Sequence, residues 1–199
     1  MVNKIYLASH SPRRSDLLNQ IGLAFDLLVI RQNPPRGADV DEEPLPNESA
    51  DDYVKRVCTQ KALNAWERMA QRNFPRMPVL AADTTVSQGD EIFGKPADAA
   101  DATRMLSRLS GTQHRVLTGV AVVYDNQLEI VVNESLVRFS ALSDETIRTY
   151  VESGEPMGKA GAYGIQGRAA AFIPSIFGSY SGVMGLPLFE TTQLLEQFR

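Results

Sequence analysis

The chain has 199 residues, 43% hydrophobic and 22% charged, a composition that fits a globular domain able to bury a core without metal or disulfide staples. Its formal net charge of −4, from 24 acidic and 20 basic side chains, excludes a broad basic footprint for DNA or RNA, so an anion site must be local. A lone cysteine, Cys58, excludes an intrachain disulfide, and no apolar run nears the roughly 20 residues of a membrane helix.

Residues 5–8 (Ile-Tyr-Leu-Ala) read as a short buried strand. Pro12 opens a helix over 12–20, because its missing N–H would be unpaired in a first turn anyway, and Gly22 lies just past the end. Residues 25–30 are a second apolar run of strand length. Residues 31–48 are polar and contain Pro34, Pro35, Pro44 and Pro46, so they read as a long loop of the kind that carries function or mobility. Ser49 caps a helix to about Arg72, with Asp51 and Asp52 in its first turn and Tyr53, Val57, Lys61 and Ala65 along one face. Residues 79–85 read as an apolar strand ending in Asp83-Thr84-Thr85. The Gly89-Asp90 turn and Ile92-Phe93-Gly94-Lys95-Pro96 complete a hairpin. Asp98 caps a helix to Leu109, which Ser110-Gly111 stops. Residues 116–124 and 128–139 are strand-like around an Asp125-Asn126 turn, and Ser143 caps a helix to Glu152. A glycine-rich stretch, 154–167, precedes a strand over 171–177 and a second glycine-rich loop, 178–186. Pro187 opens the terminal helix. Strands and helices mix and include a hairpin, which predicts an α/β fold on a mixed twisted sheet.

Several features carry chemistry. In Ser9-His10-Ser11-Pro12-Arg13-Arg14 a helix N-terminus, two hydroxyls and two guanidinium forks adjoin, a combination that suits phosphate. The same residues also describe an ordinary capped surface helix. Asp83, at an expected strand end, is placed for a metal or a water, or equally for capping a turn. The run Asp39-Val40-Asp41-Glu42-Glu43 offers Glu42 or Asp41 as a partner for Asp83 around Mg²⁺, although most such runs are solvated charge. Lys95, fixed between Gly94 and Pro96, suits a phosphate contact, as does Lys61, although surface lysines are common. Residues 158–167 hold four glycines that let backbone approach a ligand, and Gln166 could read a base edge or bond its own loop. They form neither a Walker loop nor a dinucleotide fingerprint. Cys58 reads as a small core residue, and His10 and His114 show no metal spacing.

Taken in order, Ser9-x-Ser-Pro-Arg-Arg, Ala82-Asp83-Thr84, Gly94-Lys95-Pro96, Leu109-Ser110-Gly111, Glu155-Pro156-Met157, residues 159–167 (Lys-Ala-Gly-Ala-Tyr-Gly-Ile-Gln-Gly) and Gly185-Leu186-Pro187 resemble the motifs of the Maf family of nucleoside triphosphate pyrophosphatases. The resemblance spans essentially the whole chain. It implies one domain over 1–199, an elongated two-lobed α/β architecture with a central cleft, related to inosine triphosphatase. It implies hydrolysis of a nucleoside triphosphate to monophosphate and pyrophosphate with a divalent cation, Mg²⁺ or Mn²⁺, by a homodimer; the cytoplasm is the expected compartment on other grounds, since no stretch reads as a secretion signal or a membrane helix. By the same resemblance Asp83 is the catalytic carboxylate, and Glu42 and Asp83 hold the metal. Ser9, Arg13, Arg14, Lys61 and Lys95 surround the triphosphate. Arg13, Thr84 and Gln166 stand at the positions that mark the branch acting on dTTP and UTP. Two alternatives stay open at this level: the same fold acting on 7-methyl-GTP or another modified nucleotide, and a non-catalytic nucleotide-binding regulator. Nucleic acid and membrane are not expected partners.

Overall fold

A computed structural model describes residues 2–28 and 40–198. Residues 29 and 30 of the second expected strand, and 31–39 of the long loop with Asp39, lie outside the described residues. Seven strands form one mixed sheet: β1 (Lys4–Leu7), β2 (Ala24–Leu27), β3 (Val79–Gln88), β4 (Glu91–Phe93), β5 (Gln113–Tyr124), β6 (Gln127–Arg138) and β7 (Ser175–Phe177). The order is β2-β1-β3-β5-β6-β7, with β4 paired to the far half of β3. β1 runs parallel to both β2 and β3, and the pairs from β3 through β5 and β6 to β7 are antiparallel.

The helices are α1 (Pro12–Gln20), α2 (Ala50–Gln71), α3 (Ala99–Leu109), α4 (Asp144–Glu152), α5 (Tyr180–Met184) and α6 (Leu188–Leu195). Their starts follow local chemistry. Ser49, Asp98 and Ser143 each accept a backbone N–H of the first turn, and Pro12 occupies the first position of α1.

Side-chain alternation along the strands divides the core between the two sheet faces. Tyr6, Val79 and Ala81 turn toward α2, where they meet Val54, Val57, Cys58, Ala62, Ala65 and Met69. Ile5, Leu7, Leu80 and Ala82 turn the other way, onto Leu17 and Leu18 of α1, Met184 of α5 and Leu194 and Leu195 of α6. Because β3 is covered on both faces, its first half is a continuous apolar run rather than an alternating one. A third cluster, built from Val86, Phe93, Leu106, Leu109, Phe139, Ile147 and Tyr163, closes the far end of the sheet under α3 and α4.

This topology creates a gap. The chain leaves β1 toward β2 on one side and returns as β3 on the other, so β1 is a switch point. β1 pairs with β3 only through Tyr6↔Val79 and Leu7↔Leu80, whereas β3 stays paired to β5 through Ser87. Beyond Leu80, β3 therefore has β5 on one side and an opening on the other.

Three expectations need correction. Asp83 is not at a strand end but in the middle of β3, because the β-branched Thr84, Thr85 and Val86 carry the strand on to Gln88. The expected strand over 171–177 is a 3₁₀ turn (Arg168–Phe172) followed by the short β7, since Arg-Ala-Ala-Ala-Phe prefers helical dihedrals and Pro174 stops it. The second glycine-rich stretch contains α5, capped by Ser179 and ended at Gly185 with φ 116°.

Candidate active site

The opening beside β1 is a cleft of about 890 Å³. The end of β1 and the start of α1 bring Ser9, Arg13 and Arg14 to it. The loop before α2 brings Glu42, α2 brings Lys61, β3 brings Asp83 and Thr84, and the turn after β4 brings Lys95. Gln166 alone among the expected site residues is elsewhere: it is exposed and absent from the lining, since the chain buries Ile165 there and turns Gln166 outward.

Lys61 and Asp83 form the floor. Both are buried, and Lys61 Nζ lies 2.7 Å from Asp83 Oδ1 and 2.7 Å from Glu42 Oε1. The two carboxylate oxygens are thus no further apart than twice that distance. Lys95 Nζ holds the other Glu42 oxygen at 2.6 Å. Burial pushes the Glu42 carboxyl up, but Lys61 and Lys95 outweigh it and bring it down to about 2. A buried ion pair is weak evidence of stability, and a chain of alternating charge at the bottom of a cleft is a candidate for chemistry.

α2 holds this floor in place. Tyr53 donates its hydroxyl to the Glu42 carbonyl at 2.8 Å, and Arg56 donates to the carbonyls of Asp41 and Glu43 and to the Glu48 carboxylate. Lys61 reaches Asp83 because α2 lies very close to β5 at Gly119, the cross-strand partner of Asp83. A Cβ on Gly119 would stand 2.9 Å from Cys58 Sγ and 3.0 Å from the Val54 carbonyl. Cys58 itself is buried in this seam and its thiol is pushed up to about 12, chiefly by burial, so it is packing and not a nucleophile.

Arg14 builds one wall. Its Nε donates to the Gly185 carbonyl at 2.7 Å, and its two terminal nitrogens donate to Ser9 Oγ at 3.1 Å and Thr84 Oγ1 at 3.3 Å. Every arm of the fork is used, so Arg14 is a brace between α1, β3 and the turn after α5. Arg13 contrasts with it. No hydrogen bond or ion pair engages Arg13 among the described residues, and one of its terminal nitrogens lies 3.2 Å from a Cβ placed on Gly164. Lys159 reaches the same place; burial first and then Arg13 lower its ammonium, which donates to the Glu155 carbonyl. The segment carrying Lys159 is pinned by Gly161, whose N–H donates to the Gly94 carbonyl at 3.1 Å. Gly161 has φ 69° and sits where a Cβ would press on Val86 at 2.9 Å. Tyr163, two residues on, is tied to buried His114 by a 2.8 Å hydrogen bond.

Sequence reasoning missed Tyr53, Arg56, Thr118 and Lys159. Tyr53 shares the α2 face with Lys61, a spacing that marked it as buried but not as an anchor. Lys159 belongs to the glycine-rich motif over 159–167, in which sequence chemistry alone gives it no role. The assembled cleft offers a deep carboxylate fixed by a lysine, a second carboxylate beside it, and cations on three sides. That arrangement can bind a polyphosphate and activate a water against it.

Comparison with known proteins agrees with this chemistry. A family model described as Maf-like protein matches residues 4–198. A protein of Albidiferax ferrireducens named dTTP/UTP pyrophosphatase is 56% identical, over 98% of this chain and 96% of its own length. Proteins of the same name from Ralstonia nicotianae and Nitrosomonas europaea are 57% and 53% identical, over 97% and 98% of this chain and 93% and 94% of their own lengths. Among solved structures, the Staphylococcus aureus Ham1 protein matches with a TM-score of 0.45 and 12% identity, over 68% of this chain and 71% of that one. With a family model covering it almost from end to end and relatives above half identity along its length, the chain belongs to the Maf-like family.

Proposed function

We propose that this protein hydrolyses dTTP and UTP between the α- and β-phosphates, releasing the monophosphate and pyrophosphate. The observation that carries the reading is the Asp83–Lys61–Glu42–Lys95 chain at the floor of a cleft walled by Arg13 and Arg14. The names of the relatives supply the substrate. In this reading Asp83 takes a proton from a water as that water's oxygen bonds to the α-phosphorus. The bond from phosphorus to the bridging oxygen breaks, and pyrophosphate departs with the electron pair. Lys61 keeps Asp83 oriented through Oδ1, while Asp83 Oδ2 has no hydrogen-bond partner among the described residues. Ser9, Lys61, Lys95 and Arg13 neutralise the phosphates, and positioning with charge neutralisation supplies most of the rate. Thr84, and Gln166 after a movement of its loop, read the base. Arg14 acts by bracing Ser9 and Thr84.

Glu42 and Asp83 fit a divalent cation such as Mg²⁺ or Mn²⁺. Both are hard carboxylates turned to one position, now spanned by the Lys61 ammonium. Two carboxylates with substrate oxygens form the donor set such ions take around phosphates. Among the described residues no group of three or more His, Cys, Asp or Glu is placed to hold a metal alone, so in this reading nucleotide and water complete the set. When bound, the cation would neutralise charge on the phosphates.

The reading treats 1–199 as one domain with two lobes around the cleft, acting as a cytoplasmic homodimer. No helix among the described residues is long and apolar enough to cross a membrane. The test is pyrophosphate release from a nucleotide panel that includes dTTP, UTP and 7-methyl-GTP with Mg²⁺. Asp83→Asn should lower turnover by about 10² to 10⁴. Turnover near that of the unmodified protein would remove Asp83 from the role, and a purine preference would overturn the choice of base.

A further inference from the structure

Thr84 is held by a directed chain of hydroxyls. Thr118 is its cross-strand partner on β5 and is fully buried. Thr118 Oγ1 lies 2.8 Å from the Gly182 carbonyl, which can only accept, so the single Thr118 proton is spent there. The 2.9 Å contact between Thr84 Oγ1 and Thr118 Oγ1 must then run from Thr84 to Thr118, and the Thr84 proton is spent as well. Arg14 donates to one lone pair of Thr84 Oγ1. What Thr84 presents to the cleft is its remaining lone pair. The hydroxyl is an acceptor by construction, although a free threonine could donate.

This polarity makes a chemical choice. Uracil and thymine carry an imide N–H at N3, a donor, whereas cytosine carries a bare acceptor at the same place. We infer that Thr118 is a specificity-positioning residue: by fixing the direction of the Thr84 hydroxyl, it selects pyrimidines with an N3–H over cytosine. The inference rests on the reading of Thr84 as a base contact, and it adds what makes that contact selective. Gly185, held by Arg14, closes over the same hydroxyl, and a Cβ there would be 3.4 Å from Thr84 Oγ1.

The test compares kcat/KM for UTP and CTP, with Mg²⁺, in the unmodified protein, in Thr118→Val and in Thr118→Ser. Valine keeps the shape but releases the Thr84 proton, so the UTP/CTP ratio should fall by about tenfold or more, through a gain on CTP as well as a loss on UTP. Serine keeps the hydroxyl and should restore the ratio, which a general loss of packing would not. An unchanged ratio in a folded Thr118→Val overturns the inference. N3-methyl-UTP tests it in the unmodified protein, which settles the matter if the valine variant does not fold. Removal of the donor should cut kcat/KM by about tenfold or more relative to UTP, and equal turnover refutes the donor–acceptor contact. If the unmodified protein hydrolyses neither UTP nor dTTP, the proposed function falls and this inference with it. If it hydrolyses them without these shifts, the inference alone falls.

Discussion

Gly119→Ala should disturb both the fold and the active site through one methyl group. The new Cβ would lie 2.9 Å from Cys58 Sγ, 3.0 Å from the Val54 carbonyl and 3.3 Å from Val54 Cγ2. Carbon contacts are comfortable near 3.5–4.0 Å, so α2 must back away from β5 by roughly half an ångström or more. Overpacking of this kind costs about 1–3 kcal/mol, which lowers Tm by roughly 4–8 °C for a chain of this size at the middle of that range. Lys61 lies less than one turn beyond Cys58 on the same helix, and its two 2.7 Å contacts depend on where α2 sits. A misplacement approaching 1 Å at such a group can cost about 10² in rate, so turnover should fall further than stability implies. Cys58→Ala removes the nearer obstacle but leaves the Val54 carbonyl. The double variant should therefore recover part of the loss, with a favourable coupling of roughly 0.5–3 kcal/mol. Urea unfolding of the four proteins in the cycle and initial rates of pyrophosphate release measure both quantities. If Gly119→Ala unfolds within about 0.5 kcal/mol of the unmodified protein, near the scatter expected of surface changes, the seam between α2 and β5 does not seat Lys61 as described.

Lys61→Met removes the cation between Glu42 and Asp83, so the metal-free protein should melt lower, and added Mg²⁺ or Mn²⁺ should raise its Tm more than it raises that of the unmodified protein. Equal metal shifts in both proteins would show that these carboxylates do not bind the ion. Arg14→Lys should lower kcat/KM by about tenfold or more, because one ammonium cannot span the Gly185 carbonyl, Ser9 and Thr84, and lost or unpaired buried groups cost about 1–3 kcal/mol each. Activity equal to that of the unmodified protein would refute the bracing role. Burial holds the His114 imidazole down, from 6.5 to about 4. The unfolded chain therefore takes up a proton that the folded one refuses. This contribution to stability is full above about pH 6.5 and is lost as pH falls toward 4, by up to about 1.4 kcal/mol per pH unit. Urea midpoints across that window should flatten in His114→Asn, and an unchanged slope would assign the effect to other groups.

Much of the scaffold was legible because it is encoded locally. Pro12, Ser49, Asp98 and Ser143 fix helix starts through groups within four residues of themselves, and α1, α2, α3 and α4 begin where those signals stand. Lys61 could be placed on the buried face of α2 by helical period, since it follows Tyr53 and Val57 at spacings of four. Other features depended on contacts between distant segments. Apolar character stops at Asp83 and so marks a strand end, yet β5 keeps pairing with the threonines that follow. Arg14 looked like a spare phosphate ligand, and only Gly185, 171 residues away, makes it a brace. Gln166 had the right chemistry for a base edge, but its neighbour Ile165 takes the buried position. Thr118 carried no signal, because a threonine in a strand is ordinary until the atom opposite it is known.

The Arg14–Gly185 contact also dates the site within the life of the chain. The wall of the cleft joins a residue in the first helix to one just before the last described helix, 171 residues apart, so its closure costs more chain entropy than the nearer pairings do. During synthesis, Ser9, Arg13 and Arg14 emerge first and Asp83 midway, but Thr84 and Arg14 lack their common support until Gly185 has left the ribosome. The nascent protein can thus pair β1 through β6 while Arg14 still lacks its Gly185 partner, so the sheet precedes the wall that leans on it.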